Sequence, residues 1–211
     1  MNTNHSTTGV RESKQLLAEE VFRHIGEQIV DGSLGPGHRI RDVDVADSLH
    51  VSRTPVREAL QRLERLGLVV MYPSRYTEVT GVTPEVIEQT LEFAGYQAGM
   101  AARMGVARMG PRDRERAAAL VEELYVDSDD AFHDFETRWA VFTFLSDRSL
   151  NVQHQILLND ASMALARNLR TWTVPAADRE RMQGIYRDFR QAILAGDPDA
   201  AERLARAMYL V

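Results

Sequence analysis

The chain has 211 residues and a mass of 23.8 kDa, with 44% hydrophobic and 27% charged side chains, the balance of a soluble globular protein with room for one or two domains. No apolar run approaches the roughly 18 residues of a membrane span, and the polar start Met1–Gly9 lacks the apolar segment of a secretory signal. The absence of cysteine excludes disulfides, thiolate metal sites and cysteine nucleophiles, and it fits a cytoplasmic protein.

The net charge of −6 argues against a strongly basic nucleic-acid binder. Residues 1–80 hold 10 basic and 11 acidic side chains, whereas residues 81–211 hold 15 and 20. Lys14 is the one lysine, so nearly every cation is a planar, multi-donor guanidinium. Arginines grouped on one face of a near-neutral domain could still read DNA, so the local pattern decides.

Residues 1–12 read as a flexible tail. Leu17, Val21, Ile25 and Ile29 then recur every four residues and predict a helix over 13–31 with Ser13 as N-cap. Asp31-Gly32 and Gly35-Pro36-Gly37 break the chain. A short helix follows over 43–49 with Val45, Ala46 and Leu49 inward, and His50 falls where the backbone must turn left-handed. Ser52 is placed as the next N-cap, with Pro55 in the first turn, where its missing N–H is tolerated. Val56, Ala59, Leu60, Leu63 and Leu66 form an apolar stripe, with Thr54, Arg57 and Gln61 opposite it. Gly67 ends this helix. Leu68–Met71 and Thr77–Thr80 predict a small hairpin around Pro73-Ser74-Arg75-Tyr76. Beyond Gly81 every predicted element is helical: 84–109, 112–125, 130–146, 151–170, 178–195 and 198–210. Gly95 and Gly99 inside the first of these either permit close helix packing or mark a bend. The fold class is therefore mainly α: a winged helix-turn-helix with a small β-hairpin over 13–80, and an all-helical bundle over 81–211.

In a winged helix-turn-helix the third helix packs its apolar stripe on the first two and offers the opposite face to the major groove. Arg53 and Arg57, one turn apart, sit where guanidinium forks reach guanine edges or phosphates, and Arg75 sits at the hairpin tip beside the minor groove. Arg62 and Arg65 are expected to face solvent or to approach phosphate without specificity. The stretch Ile29-Val30-Asp31-Gly32-Ser33-Leu34-Gly35-Pro36-Gly37-His38-Arg39-Ile40 resembles the I-x-x-G-x-L-x-P-G-x-x-L entry of the GntR family of bacterial transcription regulators. Val51-Ser52-Arg53-Thr54-Pro55-Val56-Arg57-Glu58-Ala59-Leu60 is similar to that family's recognition-helix string, and Leu63-Glu64 with Gly67-Leu68-Val69 continues it. The resemblance covers residues 14–80 and implies DNA contacts from Arg53, Thr54 and Arg57, with Arg41, Ser52 and Arg75 as further candidates for the DNA surface. Where the family often has an arginine this chain has Val43, with Arg41 close by as a substitute, and Tyr76 stands where the wing usually has a glycine.

The helical remainder resembles the FadR-like (FCD-type) subgroup, whose C-terminal domain binds an effector and forms the dimer. Many of its members hold a metal through an Asp-x-x-x-His pair and two later histidines. Counted from Ala192-Ile193-Leu194-Ala195-Gly196-Asp197-Pro198, the late histidine positions fall on Tyr186 and Tyr209. The Asp position falls on Glu136 or Arg138 and its histidine on Ala140 or Phe142, so no metal and no cofactor is expected. Asp129 and His133 form an Asp-x-x-x-His pair too far upstream, and His154 is expected to be structural or exposed. The arginine that often anchors an effector carboxylate aligns with Glu88. The resemblance thus implies an effector pocket drawn from Glu88, Arg138, Trp139, Phe142, Tyr186 and Tyr209, suited to an apolar or aromatic molecule; the alternative is that these aromatics are core.

The expected function is sequence-specific transcription regulation, as a repressor, by a homodimer on a pseudo-palindromic double-stranded operator, controlled by an unidentified small-molecule effector and with no membrane partner. The alternative is a regulator whose C-terminal domain only dimerises. No H-E-x-x-H, G-x-S-x-G or Walker-type string occurs, so no enzyme is expected.

Overall fold

The computed structural model describes residues 5–73, 75–125 and 130–211, with side chains from residue 16 onward. The chain divides into two compact units, Met1–Val82 and Thr83–Val211.

The first unit opens with α1 (His5–Asp31), followed by β1 (Arg39–Ile40), α2 (Asp42–Ser48), α3 (Arg53–Arg65), β2 (Val69–Tyr72) and β3 (Tyr76–Val79). The expected stripe on α1 is inward: Val21, Ile25 and Ile29 are buried together with Ala18 and Phe22. The helix starts at His5 rather than at Ser13, because extending an existing helix backwards costs little per residue once the apolar stripe has nucleated it. Residues 1–4 of the expected tail lie outside the described residues. On α3, Val56, Ala59, Leu60 and Leu63 are all at most 1% exposed, and burying each of the larger ones contributes about 1.5–3 kcal/mol. That stripe packs on α1, and α2 packs on α3 through Ala46.

His50 adopts φ 54° and Gly67 φ 71°, the left-handed positions that end α2 and α3. The hairpin pairs Val69 with Val79 and Tyr72 with Tyr76, antiparallel. A third strand was not foreseen: β1 joins the free edge of β3, with Arg39 opposite Glu78, in the order β1-β3-β2. Two residues are too few for a period-two pattern to register.

The second unit is built from α4 (Pro84–Val106), α5 (Pro111–Glu122) with a 3-10 turn over Glu123–Tyr125, α6 (Ala131–Arg148), α7 (Val152–Leu169), α8 (Arg179–Ala195) and α9 (Pro198–Ala207). Side chains of Thr83, Asp130, Asn151 and Asp197 cap α4, α6, α7 and α9 by accepting backbone N–H bonds. The last helix stops at Ala207, short of the expected Leu210, whose φ of 64° is incompatible with a right-handed helix.

α4 lies at the centre, packed against α6, α7 and α9. Its glycines serve close packing. A Cβ on Gly99 would stand 2.8 Å from Arg206 Cγ on α9, and one on Gly105 would stand 2.5 Å from the Leu145 carbonyl oxygen on α6. A Cβ on Gly95 would collide with the Val211 side chain.

Candidate nucleic-acid interface and ligand cleft

The third helix is positioned from below by its buried stripe, which leaves Arg53, Thr54, Arg57 and Gln61 exposed on the opposite face. Ser52 occupies the N-cap position in an extended conformation, but its hydroxyl accepts no capping hydrogen bond. Arg53 and Arg57 do not project separately. Both are drawn onto Asp42, the first residue of α2. Arg53 Nη2 donates to Oδ2 at 2.9 Å and Oδ1 at 3.1 Å, its Nε donates to Oδ2 at 3.3 Å, and Arg57 Nε donates to Oδ2 at 2.7 Å. Burial pushes the Asp42 carboxyl up, yet the hydrogen bonds and charges of Arg57 and Arg53 outweigh it and hold its pKa below the ordinary value.

The remaining cations of this unit differ in character. Arg41, at the N-cap position of α2, is exposed, as is Arg75 beside the hairpin tip. Ser74 lies outside the described residues. Arg62, expected to face solvent, is half-buried: its guanidinium lies 4.0 Å over the Phe22 ring and pairs with Glu19, which fixes α3 to α1. Long arginine stems readily cover apolar surface in this way. Tyr76, at the position where the family usually has a glycine, packs its ring tilted against Tyr72 with centroids 4.9 Å apart, and Arg39 caps its ring at 4.1 Å. The wing is therefore stiffened by aromatic packing.

The sequence profile of the bacterial regulatory proteins of the gntR family matches residues 17–79, the span of these elements. Residues 17–79 are a GntR-family DNA-binding domain. The function of the chain is DNA-binding transcription regulation. Over 97% of its length it is 26% identical to an HTH-type transcriptional regulator of Mycobacterium tuberculosis, Rv0494, covering 91% of that protein. It is also 26% identical to the HTH-type regulator Mce2R of the same species over 92% of this chain and 89% of the relative. The fold is shared with Escherichia coli McbR/YncC (TM-score 0.63, 20% identity, 92% and 93% of the two chains). A GntR regulator from Rhodococcus sp. RHA1 shares it as well (TM-score 0.60, 23% identity, 92% and 97%).

In the helical unit, the positions counted for metal ligands come together, but not as ligands. Of the two registers on α6, Arg138 and Phe142 point inward, whereas Glu136 and Ala140 are exposed. Arg138 is 4% exposed, its Nη2 donates to the Tyr186 hydroxyl at 3.0 Å, and its guanidinium lies 5.1 Å from the Trp172 ring. Its Nε is buried without a hydrogen-bond partner. Phe142 packs at 5.8 Å against Tyr209 and at 6.0 Å against Phe189. Burial pushes the Tyr209 phenol up to about 12, against the opposing pull of the Arg138 charge.

These residues do not fit a divalent metal. A buried guanidinium repels a cation, and the Tyr209 phenol, with so high a pKa, will not ionise to bind one. Among the described residues no three His, Asp or Glu side chains converge on a common point. Asp129 lies outside the described residues, its partner His133 is exposed, and His154 is buried with Nδ1 at 2.9 Å from Ser146 Oγ. Burial lowers the His154 pKa, with a hydrogen bond to the Gln97 backbone opposing it.

The expected effector residues divide. Arg138 and Tyr186, with His133, Asp134, Thr137 and Arg179, line a cleft that opens to solvent. Trp139, Phe142 and Tyr209 line a separate, apolar recess with Phe135 and Leu169. Trp139 lies one position round α6 from Arg138, which turns its ring to that other side. Glu88 joins neither group. It is exposed, on the face of α4 shared with Glu92 and Tyr96, opposite the buried Leu91, Ala94 and Ala98.

Proposed function

We propose that the chain is a cytoplasmic repressor of the FadR-like type that binds a pseudo-palindromic operator as a homodimer and is released by a small organic anion. The observation that carries the DNA role is the pair Arg53 and Arg57, exposed at the N-terminal end of a helix whose other face is buried. The family match and the regulators named among its relatives support regulation over catalysis. A single recognition helix reads only a few base pairs, so two copies are needed for a specific site. The exposed apolar side chains Phe93 and Met100 on α4 and Ile156 and Leu157 on α7 support pairing through the helical unit.

Arg138 supports an anionic ligand. A buried cation with a hydrogen bond to a neutral phenol and an unused Nε keeps donor capacity to spare, and a carboxylate entering the cleft, whose wall also carries Glu123 and Asp134, would supply an acceptor. The DNA role is tested on duplexes that the wild type enriches from a random pool. Arg53→Ala and Arg57→Ala should each cost about 1–3 kcal/mol of specific binding with the fold intact. Arg62→Ala should lower stability and leave discrimination unchanged. Wild-type binding by both recognition-helix variants would overturn the assignment.

A further inference from the structure

Asp42 is absent from the residues that the DNA-binding role uses, yet it is the group that Arg53 and Arg57 share. An exposed ion pair contributes little to folding, and the two arginine side chains are more than half exposed. The arrangement therefore calls for a consequence other than stability. It lies in which N–H groups Asp42 occupies. Arg57 is held through Nε alone, so both of its terminal Nη groups stay available as a fork. Arg53 is held through Nε and Nη2, so Nη1 is its outward donor.

We propose that Asp42 is a positioning residue that sets the specificity of this DNA surface: it presents Arg57 as the fork that reads the O6 and N7 acceptors of a guanine, and Arg53 as a donor to a single acceptor such as a phosphate oxygen. Two parallel N–H groups are what a guanine edge requires, and one N–H suffices for a phosphate. The role rests on Arg53 and Arg57 meeting DNA as proposed above. Asp42 also carries a negative charge on the side that faces phosphate. It thereby weakens sequence-independent attraction while it orders the residue that reads sequence, and both effects raise discrimination. A residue that merely held α2 against α3 would change binding to all duplexes alike.

The experiment uses the full-length protein, a duplex enriched by the wild type from a random pool, the same duplex with its sequence shuffled, and a version with 7-deazaguanine at each guanine in turn. Asp42→Asn should lower the ratio of specific to shuffled affinity by about tenfold, the lower part of the range for one bidentate base contact. Shuffled-duplex affinity should stay level or rise. Asp42→Glu, which keeps the charge, should recover most of the ratio. In the wild type one 7-deazaguanine position should weaken binding, and in Asp42→Asn that penalty should shrink. An unchanged ratio, or equal loss on both duplexes, would overturn the positioning role. Should Asp42→Asn fail to fold, Arg57→Lys asks the same question, since an ammonium cannot be held at Nε and still present a fork; an unchanged ratio there overturns it too. A wild type that enriches no sequence would instead overturn the DNA assignment of both arginines, and the role of Asp42 with it.

Discussion

Arg138→Met separates a ligand-binding cation from a structural one, because the two roles predict opposite signs for stability. In the wild type, transfer of the guanidinium from water costs several kcal/mol even after relaxation. Against this stand a charged hydrogen bond to the Tyr186 hydroxyl, worth about 1.5–3 kcal/mol, and a cation–π contact with Trp172, worth up to about 2 kcal/mol when desolvated. Methionine is apolar and similar in length, and exchanges of buried charge for well-packed apolar groups are neutral to stabilising by about 1–4 kcal/mol. Tyr186 loses its donor but borders the open cleft, where water replaces it. The expected net is a gain of about 1–2 kcal/mol, or several degrees in the melting of the helical unit. The assay is calorimetry of wild type and variant, alone and with a panel of aromatic and short aliphatic carboxylates. A carboxylate at a hundred times its Kd should stabilise the wild type by about 2.7 kcal/mol and leave Arg138→Met unmoved. Loss of 2 kcal/mol or more in the variant, together with a wild type indifferent to every anion, would refute the reasoning. Arg138 would then be a net-favourable core residue, and the helical unit would serve dimerisation alone.

Gly105→Ala gains about 1 kcal/mol of helix propensity, but its Cβ would stand 2.5 Å from the Leu145 carbonyl oxygen, and a backbone atom cannot turn aside. Overpacking of this kind costs about 1–3 kcal/mol or more, so a fall in the urea midpoint is expected, and an unchanged midpoint would contradict the close α4–α6 contact. For Tyr209 the folded phenol is pushed up to about 12 while the unfolded one ionises near 10. The stability linked to it is therefore complete below pH 10 and declines as pH rises from 10 through 12. Tyr209→Phe should flatten that part of the melting profile relative to wild type, and parallel profiles would show that the hydroxyl is not buried.

Much of this architecture is legible because the signals are local. His50 and Gly67 each stand at a position where the backbone must turn left-handed, and the stripe from Val56 to Leu63 names its own buried face. Asp197 and Gly196 mark the junction of α8 and α9 by a cap and a left-handed stop. What could not be read depends on contacts distant in sequence. β1 exists because β3 offers an unpaired edge, and nothing within Arg39-Ile40 announces it. Asp42 fell just outside the helix expected over 43–49, and its pairing with residues 11 and 15 positions on needed the turn at His50 to bring α2 beside α3. On α6 the pattern left two registers open, and burial chose Arg138 with Phe142 because Glu136 and Ala140 share the outward face. Gly95 and Gly99 of α4 were ambiguous between packing and bending until Val211 beside the one and Arg206 beside the other resolved them as packing.

The charge of the first unit connects these details to function. Phosphate attraction is general, rising with every cation regardless of sequence, so a strongly basic domain binds competing DNA as well as its target. Residues 1–80 instead carry nearly equal numbers of acidic and basic groups, and several of the cations are engaged within the protein: Arg62 with Glu19, Arg39 with Glu78 and Tyr76, Arg53 and Arg57 with Asp42. Such a surface gains little from non-specific contact, and its affinity must come from a few well-placed donors. Placement then matters more than number, which is why arginine rather than lysine suits it: a planar fork can be gripped at one edge and still present another, whereas an ammonium offers no second edge. The near-total use of arginine in this chain, ambiguous as composition, has a mechanical use at Arg53 and Arg57, where a single carboxylate can orient two guanidiniums at once.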